Sequence, residues 1–148
     1  MMDAACSICA RVSEARGGSP ALVRDFPTSV LVVGDHRYFP GYCLLLLKAH
    51  VRELHELELS AQRALFEELM EASRAVARAY KPWKLNHASL GNQDPHVHWH
   101  IIPRYEDDPD RRSHPWLRAD RFDGHRTDDA LKGETAARLR AAMERTGP

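Results

Sequence analysis

Two hydrophobic periods divide the chain into elements. Between residues 60 and 80, Leu65, Leu69, Ala72, Val76 and Ala79 recur at spacings of three and four, one apolar stripe of an α-helix. Ser60 is a candidate N-cap, and Lys81-Pro82 ends the helix because proline disfavours the α region for the residue before it. Such a helix covers a core and needs no chemistry of its own. Residues 29–34 (SVLVVG) form a short β-branched run, and residues 42–48 (YCLLLLK) are nearly continuous apolar sequence. The turn between them carries Pro40-Gly41, so the two runs predict a hairpin buried on both faces. Residues 85–91 and 95–104 predict two more strands, joined by Asn92-Gln93-Asp94. Residues 1–20 open with Cys6-x-x-Cys9 and end in the loop signal Gly17-Gly18-Ser19-Pro20.

Beyond Tyr105 the periodicity fades. Residues 106–129 crowd Asp and Arg around Trp116, Leu117 and Phe122, and read as an irregular surface arm. Residues 134–146 carry a thin stripe of Leu139 and Met143, fit for a short terminal helix. Strands with one long helix, short connections and no βαβ alternation imply an antiparallel α+β domain.

Composition narrows the classes. At 148 residues and 43% hydrophobic, the chain suits one globular domain with a core. Lys plus Arg and Asp plus Glu both number 21, a balance that argues against long nucleic acid but leaves room for a small phosphate ligand. The longest apolar run, 43–47, is far short of the roughly 20 residues that span a bilayer. No basic n-region precedes an apolar stretch, so no signal peptide is expected and the default compartment is the cytoplasm. Three cysteines, an odd count, make a secreted disulfide framework unexpected, and Cys43 reads as core.

Nine histidines are the unusual number, and their placement matters most. Within 95–104, alternation puts His96, His98 and His100 on one strand face, roughly 7 Å apart, with Val97, Trp99 and Ile101 on the other. Burying three imidazoles with no task costs desolvation without a packing gain. Three readings stand: a polar surface strand, a zinc site built on alternate histidines, and nucleophilic catalysis at phosphorus. In the last, a neutral imidazole attacks a phosphate ester or anhydride while neighbours donate to the charged oxygens.

The run His96-x-His98-x-His100 followed by two apolar residues resembles the signature of the histidine triad (HIT) superfamily of nucleotide hydrolases and transferases. Phe39-Pro40-Gly41-Tyr42, Lys48-Ala49-His50, and Leu85-Asn86 through Leu90-Gly91-Asn92 also look like bacterial members, so the similarity spans about residues 6–109. The resemblance implies a single HIT domain over 1–148: an antiparallel sheet of about five strands, one long helix and a short terminal helix, with 110–148 as a charged arm. It implies His98 as the nucleophile at the α-phosphate, His100 as the histidine that helps the leaving group depart, and His96 as support. Asn86, Asn92 and Gln93 match the segment that offers amides to the phosphates; turn-forming roles remain open for each. Asp35 lies where the family places a ribose contact, with His36 as the neighbouring alternative.

The implied enzyme is a dinucleoside polyphosphate hydrolase or a nucleoside phosphoramidase that needs no metal for its chemistry, with a nucleotide as small-molecule partner and a homodimer as the assembly. Cys6 and Cys9 have a spacing that suits tetrahedral zinc. The family's zinc-bearing members imply His50 and His96 as the other two ligands of a structural site. Free thiols or a redox pair are the competing readings, the latter without its usual βαβ context. The rivals to a HIT hydrolase are a non-catalytic nucleotide-binding or zinc-stabilised interaction module, and a zinc hydrolase ligated by the triad.

Overall fold

Strands β1 (Leu22–Asp25), β2 (Ser29–Val33), β3 (Cys43–Leu47), β4 (Lys84–Ala88) and β5 (His98–Arg104) pair antiparallel into one sheet ordered β1-β2-β3-β5-β4. The computed structural model describes residues 5–145 of the chain. All residues of β2 and β3 are buried, as their unbroken apolar runs require. The α+β class and the five-stranded antiparallel sheet agree with expectation; the strand that the hydrophobic pattern left unassigned is β1, at the sheet edge.

Register fixes two faces. Leu44 opposes His100 and Leu46 opposes His98, while Asn86 and Ala88 oppose Ile102 and His100, so these residues share one face. Ser29, Leu45, Leu47, Trp99, Ile101 and His87 lie on the other. Helix α2 (Leu59–Tyr80) covers that second face with Leu65, Leu69, Ala72 and Val76 buried. Buried Glu68 accepts from the Ser29 hydroxyl at 2.5 Å and the Thr28 amide at 2.8 Å, and Ser73 meets His87 at 2.8 Å. His87 is thereby tied to the helix side of the sheet. Helix α2 starts one residue earlier than its apolar stripe suggests, with Glu58 rather than Ser60 as N-cap, and stops with Lys81 in the left-handed region (φ 48°) before Pro82.

Three features depart from the sequence reading. Helix α1 (Ser7–Arg16) occupies the segment read only as a cysteine pair and a loop. Its buried residues Ile8, Cys9, Val12 and Ala15 make a stripe too short and too small to register as a helical period. Helix α3 (Asp129–Glu144) starts five residues before the expected terminal helix, because Asp128 caps it by accepting from the Leu131 amide at 2.8 Å. The arm is not merely surface: its 3₁₀ turns, Pro115–Arg121 and Asp123–His125, set Pro115, Trp116 and Phe122 against the core. No helix among the described residues is long and apolar enough to cross a membrane.

Candidate active site and metal cluster

Strand β5 begins at His98, not at residue 95, and this separates the three histidines. His98 and His100 keep the alternation and share a face, with ring centroids 5.0 Å apart. His96 precedes the strand, is fully buried, and turns its ring into a different set of neighbours.

Each ring has a partner that bears on its proton. His98 Nδ1 lies 2.7 Å from the backbone oxygen of His96. A carbonyl only accepts, so Nδ1 carries the proton and Nε2 of the neutral ring keeps its lone pair. His98 is 7% exposed, so that lone pair sits in a largely dry setting. The same logic applies to His96: Nε2 donates to Leu47 O at 2.7 Å, which leaves Nδ1 as the acceptor. His100 Nδ1 meets the Tyr42 hydroxyl at 2.7 Å. Burial, then the nearby His98, Arg11 and His36, push the His100 pKa down to about 4, so the ring is neutral near pH 7. Burial raises the Tyr42 phenol, which stays protonated. A Cβ at Gly34 would lie 2.2 Å from the Tyr42 ring, so only glycine admits Tyr42 at this place.

His96 Nδ1 points at sulfur. It lies 3.4 Å from Cys6 Sγ and 3.5 Å from Cys9 Sγ, and His50 Nδ1 lies 3.5 Å from Cys9 Sγ. The four donor atoms fall within 4.8 Å of one another. Zinc bonds of about 2.3 Å to sulfur and 2.0–2.1 Å to nitrogen, at tetrahedral angles, separate S from N by about 3.6 Å. The cluster has those edges. Cys6 also caps α1, its sulfur accepting the Cys9 amide at 3.5 Å. The donor set fits a tetrahedral metal of zinc's preference. The structure thus assembles Cys6, Cys9, His50 and His96.

The proposed nucleotide contacts are placed unevenly. Asn86 lies on the histidine face, but its Oδ1 accepts from Arg104 at 3.3 Å. Asn92 and Gln93 are exposed in the loop before His96, and that loop is tied to α1 where the Ser7 hydroxyl donates to Asp94. Asp35 follows Gly34 and receives both Nη atoms of Arg11, at 2.8 and 3.1 Å. His36 is a packing ring: it stacks on Tyr42 (4.7 Å between centroids) and on Phe122 (4.1 Å), with its pKa lowered to about 4, chiefly by burial.

Sequence reasoning missed several neighbours. In the sequence Tyr42 is part of an apolar run and of a matched motif; its bond to His100 reaches from the start of β3 to the adjacent strand β5. Trp116 stands edge-on to His100 at 5.2 Å, interplanar 90°. Residues 125–127 pair back to 34–37 through Arg37 N to His125 O, Thr127 N to Asp35 O and the Thr127 hydroxyl to Gly34 O, at 2.8 to 3.0 Å. Arg11 sits on a helix absent from the hydrophobic pattern. A cavity of about 510 Å³ lined by Tyr38, Phe39, Tyr80, Tyr105 and Arg138 opens elsewhere and is not lined by the triad.

Comparison with known proteins follows the same geometry. The family model described as the HIT domain matches residues 19–107, more than half of the chain. The chain belongs to the HIT family. HIT proteins form a superfamily of nucleotide-binding hydrolases and transferases. Among solved structures, a histidine triad protein from Bradyrhizobium japonicum is 27% identical, with 82% of this chain and 89% of that chain covered and a TM-score of 0.71. A histidine triad protein from Sinorhizobium meliloti 1021 is 22% identical over 93% of this chain and 97% of that one, with a TM-score of 0.74. A zinc-bound histidine triad family protein from Mycobacterium smegmatis is 22% identical over 94% and 93%, with a TM-score of 0.66. No curated protein matches the chain. These neighbours share the HIT fold.

Proposed function

We propose that this HIT protein hydrolyses or transfers a nucleoside monophosphate at the α-phosphate, through a nucleotidyl-His98 intermediate, with a dinucleoside polyphosphate or nucleoside phosphoramidate as substrate. The observation that carries the reading is the His98 Nδ1–His96 carbonyl bond, which presents an unprotonated Nε2. In the first step the Nε2 lone pair forms a bond to phosphorus, and the bond from phosphorus to the leaving group breaks with its electron pair. The ring becomes cationic, and the His96 carbonyl stabilises its Nδ1–H. In the second step water adds to phosphorus, the P–N bond breaks, the pair returns to Nε2, and the surplus proton passes to the products or solvent.

His100 is neutral at working pH and carries one ring proton. With the Tyr42 hydroxyl donating to Nδ1, that proton resides on Nε2, placed to accompany the leaving group. Asn86, Asn92 and Gln93 belong to the segment that the family resemblance assigns to the phosphates. Cys6, Cys9, His50 and His96 would hold a structural zinc that ties α1 to the start of β5; the chemistry above is carried by imidazoles. The zinc-bound HIT neighbour and the donor geometry support that assignment. A homodimer is the proposed assembly.

The test is to quench a reaction with diadenosine tetraphosphate or an adenosine phosphoramidate and map the adduct by mass spectrometry. An adenylyl group on His98, absent in His98→Ala together with turnover, is the expected result. Turnover by His98→Ala at wild-type rate would sink the mechanism. Binding without any adduct or product would favour the interaction-module reading.

A further inference from the structure

A permanent cation that no triad residue supplies is joined to the Tyr42–His100 pair through Asp35 and Gly34. Arg11 projects from α1 and forks onto Asp35. Asp35 follows Gly34, on which the Tyr42 ring rests, and Tyr42 reaches His100 at 2.7 Å. Lys132 of α3 approaches Asp35 Oδ1, the oxygen that Arg11 Nη2 also contacts, at 3.9 Å. One carboxylate therefore meets two cations. Arg11 and Lys132 keep 28% and 23% exposure, so neither is sealed from a ligand.

The charge balance of the site makes this pair informative. Neither the triad rings nor the amides supply a permanent positive charge, and the amides add only dipoles. A phosphoramidate substrate brings one phosphate, which such a set can bind. A polyphosphate tail brings several more negative charges past His100, and these need a cation. Arg11 is planar, always charged and shaped for bidentate phosphate contact.

We propose that Arg11, held in reserve by Asp35 and assisted by Lys132, is the binding group for the polyphosphate tail of the substrate, and so selects dinucleoside polyphosphates over phosphoramidates. The proposal rests on the nucleotide reading above and deepens it by naming the substrate class. Arg11 exchanges one oxyanion, Asp35, for another. The exchange frees the Asp35 carboxylate, where the family resemblance places a ribose contact.

Two measurements test this, both with intact metal-loaded protein. The first compares kcat/KM for diadenosine tetraphosphate and adenosine phosphoramidate in wild type, Arg11→Met and Arg11→Lys. Arg11→Met should lose at least tenfold more on the tetraphosphate than on the amidate, mostly in KM, and Arg11→Lys should recover part of that difference. The second measures binding of AMP and diadenosine tetraphosphate to His98→Ala, with and without Arg11→Met. The preference for the tetraphosphate over AMP should shrink by at least tenfold when Arg11 is replaced, and the salt dependence of tetraphosphate binding should flatten. Equal losses on both substrates, or an unchanged binding preference, overturn the assignment of Arg11 and leave the nucleotide reading intact. A wild-type protein that neither binds nor cleaves either nucleotide overturns both.

Discussion

The backbone oxygen of His96 and Nδ1 of His98 lie 2.7 Å apart, while the His96 ring faces away into Cys6, Cys9 and His50. One residue therefore belongs to both centres. Its ring completes the sulfur–nitrogen cluster, and its carbonyl sets which nitrogen of the His98 ring is bare. This coupling explains why the ring of the first histidine turns away from the face that His98 and His100 share.

Metal removal is expected to act through that residue. A ligand present at a hundred times its Kd stabilises the folded state by about 2.7 kcal/mol, which for a domain of this size corresponds to about 5–10 °C in Tm. Exhaustive chelation, and separately Cys6→Ser, should lower Tm by at least about 5 °C and reduce turnover in parallel. Thermal melts on protein whose metal content has been measured check this. A verified metal-free protein with the Tm of the loaded form would show that the four donors need no ion.

Acid should unfold the protein earlier than its surface suggests. His36 and His100 sit at about 4 in the folded state, against an ordinary 6.5, with burial the largest cause for both. The unfolded chain therefore binds more protons than the folded one between about pH 6.5 and 4. The stabilisation from keeping these rings neutral is complete above that window and is lost as pH falls through it. His87 shifts in the same direction, also mainly by burial, and adds to the slope. Melting curves should give a Tm that is flat from pH 8 to 7 and declines below 6.5. His36→Phe, which preserves stacking between Tyr42 and Phe122, should make the decline shallower. An identical pH profile in wild type and His36→Phe contradicts the assignment.

What the sequence made legible depended on range. The α2 stripe and the alternation of His98 with His100 are local periods, and both survive in the structure. Alternation alone, however, continues back through Val97 to His96. Only the partner strand, whose pairing stops at Leu46 opposite His98, and the two sulfurs reveal that His96 turns aside. The Cys6–Cys9 pair with His50 and His96 was reached through family resemblance, since nothing local links those segments. Arg11 to Asp35 and Tyr42 to His100 are contacts between distant segments that carry no periodic signal. The arm was read as irregular because ring stacking and one buried cation, rather than a repeating stripe, hold it.

That cation is Arg104. It is 1% exposed, and its guanidinium donates to Asp108 Oδ2 at 2.9 and 2.7 Å, to Ser113 O at 2.7 Å and to Asp110 O at 2.6 Å. Replacing one partner of a buried ion pair leaves the other uncompensated and costs about 3–5 kcal/mol. Arg104→Met is expected to lose that much in denaturant unfolding and to expose residues 105–113 to proteolysis. Arg118→Met removes a single bond to Asp110 from a side chain 43% exposed, and should cost far less than Arg104→Met. Equal costs for the two variants would mean that the arm is held by its aromatic anchors alone.

The outer side of α2 carries the last expectation. Leu54, Leu59 and Phe66 are 38%, 58% and 59% exposed, and Phe66 borders a groove formed with Leu65, Leu69 and Trp99. Fully burying a large apolar side chain contributes roughly 1.5–3 kcal/mol, and a two-fold axis uses each side chain twice. A pair of chains joined across this face would cover all three residues without touching His98, which lies on the opposite face of the sheet. Light scattering should give a mass near twice 16.8 kDa at micromolar concentration. Phe66→Glu places a charge in the covered face and should weaken association at least about a hundredfold, since about 3 kcal/mol is a factor near that size. A wild-type protein that stays at 16.8 kDa, or a Phe66→Glu variant that remains paired, removes this face as the interface.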